Sequence, residues 1–208
     1  MKKILKRLSA AFLAVCLLGA AAAAPIVKRG YDMYKQAVEQ TPIEQKVNEI
    51  RSSDAYTPFD EMSDVFVETL LQSEDRRFYY HFGIDPIAFV RAMAINISRG
   101  RYVQGGSTIT QQLAKNMYFS FEKKLARKVA ELFVAFQLEK MYSKKDILAM
   151  YCALAYFGEN CYGIKRASQY YYSASPSQLD RRQSERLVEA LKAPSVHNPS
   201  TMQAQAAS

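Results

Sequence analysis

The sequence predicts a mainly α-helical fold, and three observations support this prediction. From residue 60 onward, apolar residues recur three and four positions apart, which is the spacing that aligns side chains on one face of a helix. Thr108 and Gln111 match a capping box, which is typical of a helix start. The chain shows no internal repeat and few convincing strand patterns. With 208 residues, 49% of them hydrophobic, it can form one domain with a sizeable core.

The N-terminal segment contains an uncharged apolar run at residues 8–27, which is long enough to cross a bilayer. Basic residues precede this run, as they do on the cytoplasmic side of membrane helices. We therefore predict a cytoplasmic N-terminus and one membrane-spanning anchor within residues 1–29, with the rest of the chain exported. A cleaved signal peptide is the alternative, because the alanines before Pro25 offer cleavage sites.

The net charge of +8 is concentrated in this same segment. Six of the 28 Lys and Arg residues lie in residues 1–29, which contain no acidic residue, so 22 basic residues face 20 acidic ones in the rest of the chain. A nucleic-acid-binding protein usually carries its basic excess on the folded domain. The charge distribution therefore argues against a nucleic-acid partner.

Residues 30–58 are polar, with Pro42 and Pro58 as breakers, and we interpret them as a stalk or linker. Residues 59–199 are predicted to form the functional domain, and residues 200–208 a disordered tail. Met62, Phe66 and Leu70 form the first apolar stripe of this domain. Further helical patterns cover residues 84–99, 108–117, 124–141, 144–157, 163–172 and 178–192.

Glu74 lies four residues after Leu70 and three after Leu71, so it continues the apolar stripe of the first helix. A carboxylate on an inward-facing side loses hydration and becomes a stronger base, which suits general-base catalysis. The alternative is a helix-end carboxylate paired with Arg77 or His81.

The helix predicted over residues 124–141 brings two cations and a carboxylate to one side, since Arg127 and Lys128 precede Glu131 by four and three positions. Its apolar side is predicted to consist of Val129, Leu132, Phe133 and Phe136. An exposed salt-bridge face is one interpretation of the charged side. The other is a site that binds a phosphate together with a metal ion or a sugar group.

The segment 104–116, QGGSTITQQLAKN, combines two glycines with neutral hydrogen-bonding side chains and a single cation. Gln112, Lys115 and Asn116 share one helix face, and the helix N-terminus offers free N–H groups to an anion. The glycines let the backbone approach a ligand closely. These groups suit sugar hydroxyls and phosphate oxygens, and the alternative is a polar surface helix.

Cys152 and Cys161 lie outside the predicted anchor. They could pair in an oxidising compartment, but we expect two partly buried thiols. His81 and His197 are far apart, and no Cys/His cluster has the spacing of a zinc site.

Five segments of the domain occur in the order found in a known enzyme family. They are SEDRRFYYHFG (73–83), QGGSTITQQLAKN (104–116), RKVAE (127–131), KKDILAMY (144–151) and YFGENCYGIKRAS (156–168). Together they resemble the motifs of the peptidoglycan glycosyltransferases, glycosyltransferase family 51, over about residues 60–199. The chain resembles the monofunctional members, since it ends where a transpeptidase domain would begin.

The resemblance implies a lysozyme-like, two-lobed domain whose smaller lobe dips into the membrane. It implies transfer of a lipid-linked growing glycan chain to the 4-hydroxyl of lipid II, with inversion and release of undecaprenyl pyrophosphate. The expected partners are lipid II, the nascent glycan strand, the membrane and other cell-wall synthesis proteins. The expected location is the inner membrane, with the catalytic domain on its extracytoplasmic side.

The resemblance also implies roles for single residues. Glu74 matches the general base that removes the proton from the acceptor hydroxyl. Glu131 matches a carboxylate that assists the leaving pyrophosphate, either through a metal ion (Mg²⁺ or Mn²⁺) that it would hold or through nearby cations; no organic cofactor is expected. The remaining matches are the pyrophosphate-binding cations Lys115, Arg127 and Lys128, and the donor-site polar contacts Ser107, Thr108, Gln112 and Asn116.

Two positions depart from the family pattern. Ala153 stands where the fourth motif usually has Asn, and Ala174 stands where a Lys usually follows the fifth. We expect these departures to alter stability or donor handling without abolishing activity. An inactive cell-wall scaffold and a lysozyme-like hydrolase are the alternatives, but a hydrolase has no anionic leaving group for the cations to bind.

Overall fold

The computed structural model describes the backbone of residues 2–119 and 125–202, and the side chains of these residues except 2–12, 15 and 16. The mainly α fold is confirmed, because the described part contains no strand and only one isolated bridge, between Tyr156 and Tyr162. Its α-helices are α1 (Lys2–Gln40), α2 (Ile43–Arg51), α3 (Asp64–Glu74), α4 (Pro86–Arg99), α5 (Ile109–Tyr118), α6 (Leu125–Met141), α7 (Lys144–Leu154), α8 (Ile164–Tyr172) and α9 (Arg181–Lys192).

The core forms where α5 packs against both α6 and α7. Helix α7 is buried over most of its length, since every residue from 147 to 153 is at most 2% exposed. Its capping box, Ser143 with Asp146, fixes where this buried helix begins. Helix α5 therefore packs against a helix that is largely buried.

Helix α1 runs for 39 residues and packs along α6. The two helices approach closely at Gly30, where an added Cβ would lie 2.5 Å from the Cβ of Val129. Nearby, Phe133 stacks on Tyr34 and meets Tyr31 edge to face. Val129 and Phe133 of α6 therefore pack against α1 and do not belong to the buried side of this helix. The predicted apolar side of α6 is corrected to Ala126, Ala130, Val134, Ala135 and Leu138, together with Arg127 and Glu131.

The predicted linker over residues 30–58 is helical for most of its length. Ile43, Val47 and Ile50 of α2 are at most 6% exposed and belong to the core. Its polar residues occupy the outer sides of α1 and α2, so this segment packs against the domain and is not a free spacer. Of the predicted tail, residues 200–202 are helical, and residues 203–208 lie outside the described part of the chain.

Within the described residues, no helix combines the length and the apolar character needed to cross a membrane. The span predicted over residues 8–27 falls partly on side chains outside the described set.

Helix α4 turns apolar residues outward. Ala92 is its only buried residue, while Ile87, Phe89, Val90 and Ile97 are each more than half exposed. The two thiols, Cys152 and Cys161, are buried and unpaired, as expected.

Candidate active site

A cleft of about 920 Å³ opens beside the C-terminal end of α3. One wall is formed by residues 72–77 and another by the loop 102–108. Gln112 and Lys115 of α5 and Lys128 of α6 also line it. The cleft therefore brings together three segments that the sequence analysis had selected separately.

The backbone next to Glu74 is fixed by the following residue, Asp75, which is buried. Both carboxylate oxygens of Asp75 lie 3.0 Å from Nε2 of His81. One of these oxygens also accepts a hydrogen bond of 2.9 Å from the backbone N–H of Ile109, the first residue of α5. Asp75 thereby ties the end of α3 to the start of α5, and Glu74 is positioned at that junction.

The Glu74 side chain is half-buried and is not part of an ion pair in the described structure. Its Oε2 accepts a hydrogen bond of 3.0 Å from Nε2 of Gln112. The two partners considered for Glu74 form other ion pairs: Arg77 pairs with Asp85 at 2.9 Å, and His81 pairs with Asp75. The interpretation of Glu74 as an ion-paired helix-end carboxylate is therefore wrong.

Glu131 is held in a different way. It is fully buried, and its two oxygens accept hydrogen bonds from Arg127 and from Nζ of Lys128, the latter at 2.7 Å. Lys128 also donates to Oγ of Ser107 at 3.1 Å, which joins α6 to the loop that lines the cleft. The interpretation of this group as an exposed salt-bridge face is wrong for its carboxylate, although Lys128 itself is partly exposed.

Lys115 is half-buried and lines the cleft. Burial lowers its pKa, the positive charges of Lys128 and Arg127 lower it further, and Glu131 partly opposes this change. Lys115, Arg127 and Lys128 therefore act on each other electrostatically as one cationic group around the Glu131 carboxylate. Such a group can bind a doubly charged anion.

The predicted start of α5 is confirmed, because Thr108 and Gln111 form both hydrogen bonds of a capping box. The Thr108 side chain is buried, and its hydroxyl donates to the carbonyl oxygen of Gly83 at 2.7 Å. Asn116 is exposed on α5 and is not among the residues that line the cleft. Among the predicted donor contacts, Ser107, Thr108 and Gln112 do line it.

The loop 102–108 is held by a residue that the sequence analysis did not select. Asn96 of α4 accepts hydrogen bonds from the backbone N–H groups of Val103 and Gln104, at 2.7 and 2.9 Å. It also donates to the carbonyl oxygen of Gln104 at 2.9 Å. Asn96 lies seven and eight positions before these partners in the sequence, and no local sequence motif has this spacing.

Lys192 and Tyr151 were not predicted either. Lys192, the last residue of α9, lines the cleft, and a lysine at a helix end carries no distinctive signal. Tyr151 of α7 donates a hydrogen bond of 3.3 Å to Oε1 of Gln112. The two family departures, Ala153 and Ala174, do not line the cleft, and Ala153 is buried in the core.

The described residues include no metal site that protein side chains alone could form. No group of three or more His, Cys, Asp or Glu side chains among them could ligate one. Both oxygens of Glu131, the predicted ligand, accept hydrogen bonds from cations. The residues around Glu131 favour the alternative in which cations of the chain balance the charge of an anion.

Comparison with known proteins identifies relatives. The family model described as Transglycosylase matches residues 39–208. A monofunctional glycosyltransferase of Staphylococcus haemolyticus is 41% identical over 160 residues, which cover 74% of this chain and 59% of that protein. Penicillin-binding protein 1A of Aquifex aeolicus is 40% identical over 144 residues, which cover 69% of this chain and 20% of that protein. The chain thus spans about a fifth of that penicillin-binding protein and three fifths of the glycosyltransferase.

Proposed function

The chain belongs to the transglycosylase family, and from this premise we propose that it polymerises the glycan strands of peptidoglycan. The donor is the lipid-linked growing chain and the acceptor is lipid II. The 4-hydroxyl of the acceptor attacks the anomeric carbon of the donor, a new β-1,4 bond forms with inversion, and undecaprenyl pyrophosphate leaves.

One observation carries this proposal. The cleft contains a carboxylate that is bonded to a neutral amide, Glu74, and a cationic group that includes Lys115 and Lys128. Transfer from a pyrophosphate needs both a base for the incoming hydroxyl and positive charge for the leaving group. Glycoside hydrolysis has no anionic leaving group, so the cations favour transfer over hydrolysis.

In this mechanism Glu74 accepts the proton of the acceptor hydroxyl as the new bond forms. Lys115, Arg127 and Lys128 bind the donor pyrophosphate and offset its charge as the bond to the anomeric carbon breaks. Glu131 acts by holding Arg127 and Lys128 in place.

The remaining cleft residues are proposed to bind the donor sugar and phosphates. Ser107 is the best placed, because its hydroxyl already lies against Lys128. Thr108 is proposed to contribute by fixing the start of α5 beside the cleft through its capping box, and Gln112 through its contact with Glu74. Asn116, on the exposed side of α5, is proposed to contact the substrate outside the cleft.

The substrate is attached to a lipid, and we propose that the protein works at the inner membrane. The run 8–27 would anchor the chain, with the domain on the extracytoplasmic side. The outward apolar residues of α4 lie next to the cleft, where a smaller lobe of a lysozyme-like domain would enter the bilayer. Other cell-wall synthesis proteins are proposed partners.

The test is polymerisation of labelled lipid II in detergent by the intact chain and by Glu74→Gln. We expect glycan strands from the first and a rate at least 10²-fold lower from the second, since general-base catalysis contributes roughly 10²- to 10⁴-fold. Glu68→Gln is the matched control, because it makes the same change at an exposed position of the same helix.

Near-normal polymerisation by Glu74→Gln would contradict the role of Glu74. Soluble fragments released from preformed peptidoglycan would indicate a hydrolase. A folded chain that produces neither strands nor fragments would indicate a non-catalytic scaffold.

A further inference from the structure

Three helices contribute one residue each to a hydrogen-bonded chain that ends at Glu74. Tyr151 of α7 donates to Oε1 of Gln112 at 3.3 Å, and Nε2 of Gln112 donates to Oε2 of Glu74 at 3.0 Å. Tyr151 is 2% exposed and does not line the cleft. Its hydrogen-bonded connection to the candidate base therefore runs through Gln112.

The hydroxyl of Tyr151 can donate a hydrogen bond to Gln112 only if it keeps its proton. Burial raises the pKa of Tyr151 well above its ordinary value, and the negative charge of Glu74 raises it further. The hydroxyl is therefore protonated over the whole range in which the protein would work.

The orientation of the Gln112 amide decides what Glu74 meets. The two ends of an amide have nearly the same shape, but one end donates hydrogen bonds and the other accepts them. If the amide were reversed, its oxygen would face the oxygen of the Glu74 carboxylate, and the two would repel each other. Because a protonated tyrosine hydroxyl needs an acceptor, Tyr151 favours the orientation in which the N–H group faces Glu74.

We propose that Tyr151 is a positioning residue for the polymerisation reaction: it fixes the Gln112 amide, and through it the Glu74 carboxylate. With Oε2 bonded to Gln112, Oε1 is the oxygen that receives the acceptor proton, and no described residue donates a hydrogen bond to it. This inference rests on the proposed function, because it assigns Tyr151 a part in that reaction.

A purely structural role for Tyr151 is the competing explanation, since a buried hydroxyl needs a partner in any case. The two explanations differ in what happens when the hydroxyl is removed. A structural hydroxyl would affect the stability of the fold and leave the turnover of folded protein unchanged. A positioning hydroxyl would lower kcat, because the base would be misplaced in part of the molecules, and would leave KM nearly unchanged.

The experiment measures kcat and KM for lipid II polymerisation by the full chain and by Tyr151→Phe, with kcat expressed per folded protein as determined by circular dichroism. We expect kcat to fall roughly fivefold to tenfold, the effect of about one hydrogen bond, with KM within about twofold. Tyr171→Phe is the matched control, because its hydroxyl also makes one hydrogen bond, to the carbonyl oxygen of Phe157 at 3.0 Å, away from the cleft. We expect this control to retain its kcat.

A double-mutant cycle with Gln112→Ala tests whether Tyr151 acts through Gln112. If it does, Tyr151→Phe will cause no further loss of kcat once the amide is absent. An equal loss in both backgrounds would overturn the inference, as would an unchanged kcat in the single variant.

The outcomes separate this inference from the proposed function. If the unmodified chain does not polymerise lipid II, the proposed function fails. If the unmodified chain is active, Glu74→Gln is inactive and Tyr151→Phe turns over at the normal rate, only the positioning role fails.

Discussion

The two glutamates of the candidate site are held by opposite kinds of partner. Glu131 is fully buried, and its oxygens accept hydrogen bonds from Arg127 and Lys128, so its negative charge is balanced within the protein. Glu74 is half-buried and accepts from the neutral amide of Gln112, so its charge stays available to the cleft. The comparison indicates that Glu131 organises cations, whereas Glu74 is suited to accept a proton.

The largest expected effect that separates the two residues is on stability. Glu131→Gln removes the carboxylate that accepts a hydrogen bond from Arg127, a residue only 9% exposed, so we expect the free energy of unfolding to fall by about 3 kcal/mol. Glu74→Gln exchanges a half-buried carboxylate for an amide of the same size, and we expect a loss below about 1 kcal/mol. Urea denaturation of both variants provides the measurement. Equal losses would show that the two glutamates are held alike.

A packing change can disturb the cationic side of the cleft and leave Glu74 in place. Gly30→Ala would put a Cβ 2.5 Å from that of Val129 and 2.7 Å from the carbonyl oxygen of Ala126, so α1 and α6 must move apart. We expect a stability loss of about 2 kcal/mol, typical of overpacking, and an increased KM for the donor, because α6 carries Arg127 and Lys128.

Gly19→Ala is the control for this change, since nothing lies within 4 Å of a Cβ added to Gly19 in the same helix. It should be neutral or slightly stabilising, because alanine favours helix over glycine. If both alanine variants behave alike in thermal unfolding and in donor KM, the close approach of α1 to α6 is not coupled to the cations.

The smallest expected effect concerns alkaline pH. Because burial lowers the pKa of Lys115, its ammonium group loses its proton at a lower pH than in the unfolded chain. Raising the pH through this window stabilises the fold, since the unfolded chain then binds more protons. It also removes a charge that we propose binds the donor pyrophosphate. We therefore expect polymerisation to decline at alkaline pH while stability rises slightly.

Lys115→Arg tests this prediction, because arginine keeps its charge throughout the range. The variant should lose the alkaline decline in rate, even if its rate near neutral pH is lower. If the rate of the variant still declines at alkaline pH, another titrating group causes the decline.

The fold could be predicted where local chemistry determines it. The capping box of Thr108 and Gln111 places the start of α5, and it is present in the structure. The buried side of α6 could not be predicted, because small residues such as Ala130 and Ala135 pack in the core while Val129 and Phe133 meet α1. Similarly, α2 looks like a polar linker, because three buried residues in nine give a weak apolar pattern.

The candidate site shows the same limit. Glu74 is predicted from the stripe that it continues, but the partner that distinguishes it from Glu131 lies 38 positions later in the chain. Tyr151 lies a further 39 positions on. Contacts at such separations depend on how α3, α5 and α7 pack, and no short pattern encodes them. The order of the family motifs therefore indicated the site better than any single spacing.

Asn96 holds the loop 102–108 through backbone atoms, and this determines which loop residues can be substituted. Its three hydrogen bonds go to backbone atoms of Val103 and Gln104, which every amino acid except proline provides in full. Val103 and Gln104 line the cleft, and the three hydrogen bonds from Asn96 do not involve their side chains. Substitutions at these two positions can change which substrates the cleft binds while the hydrogen bonds to Asn96 remain. Positions 103 and 104 are therefore the first to vary in a search for new substrate preferences.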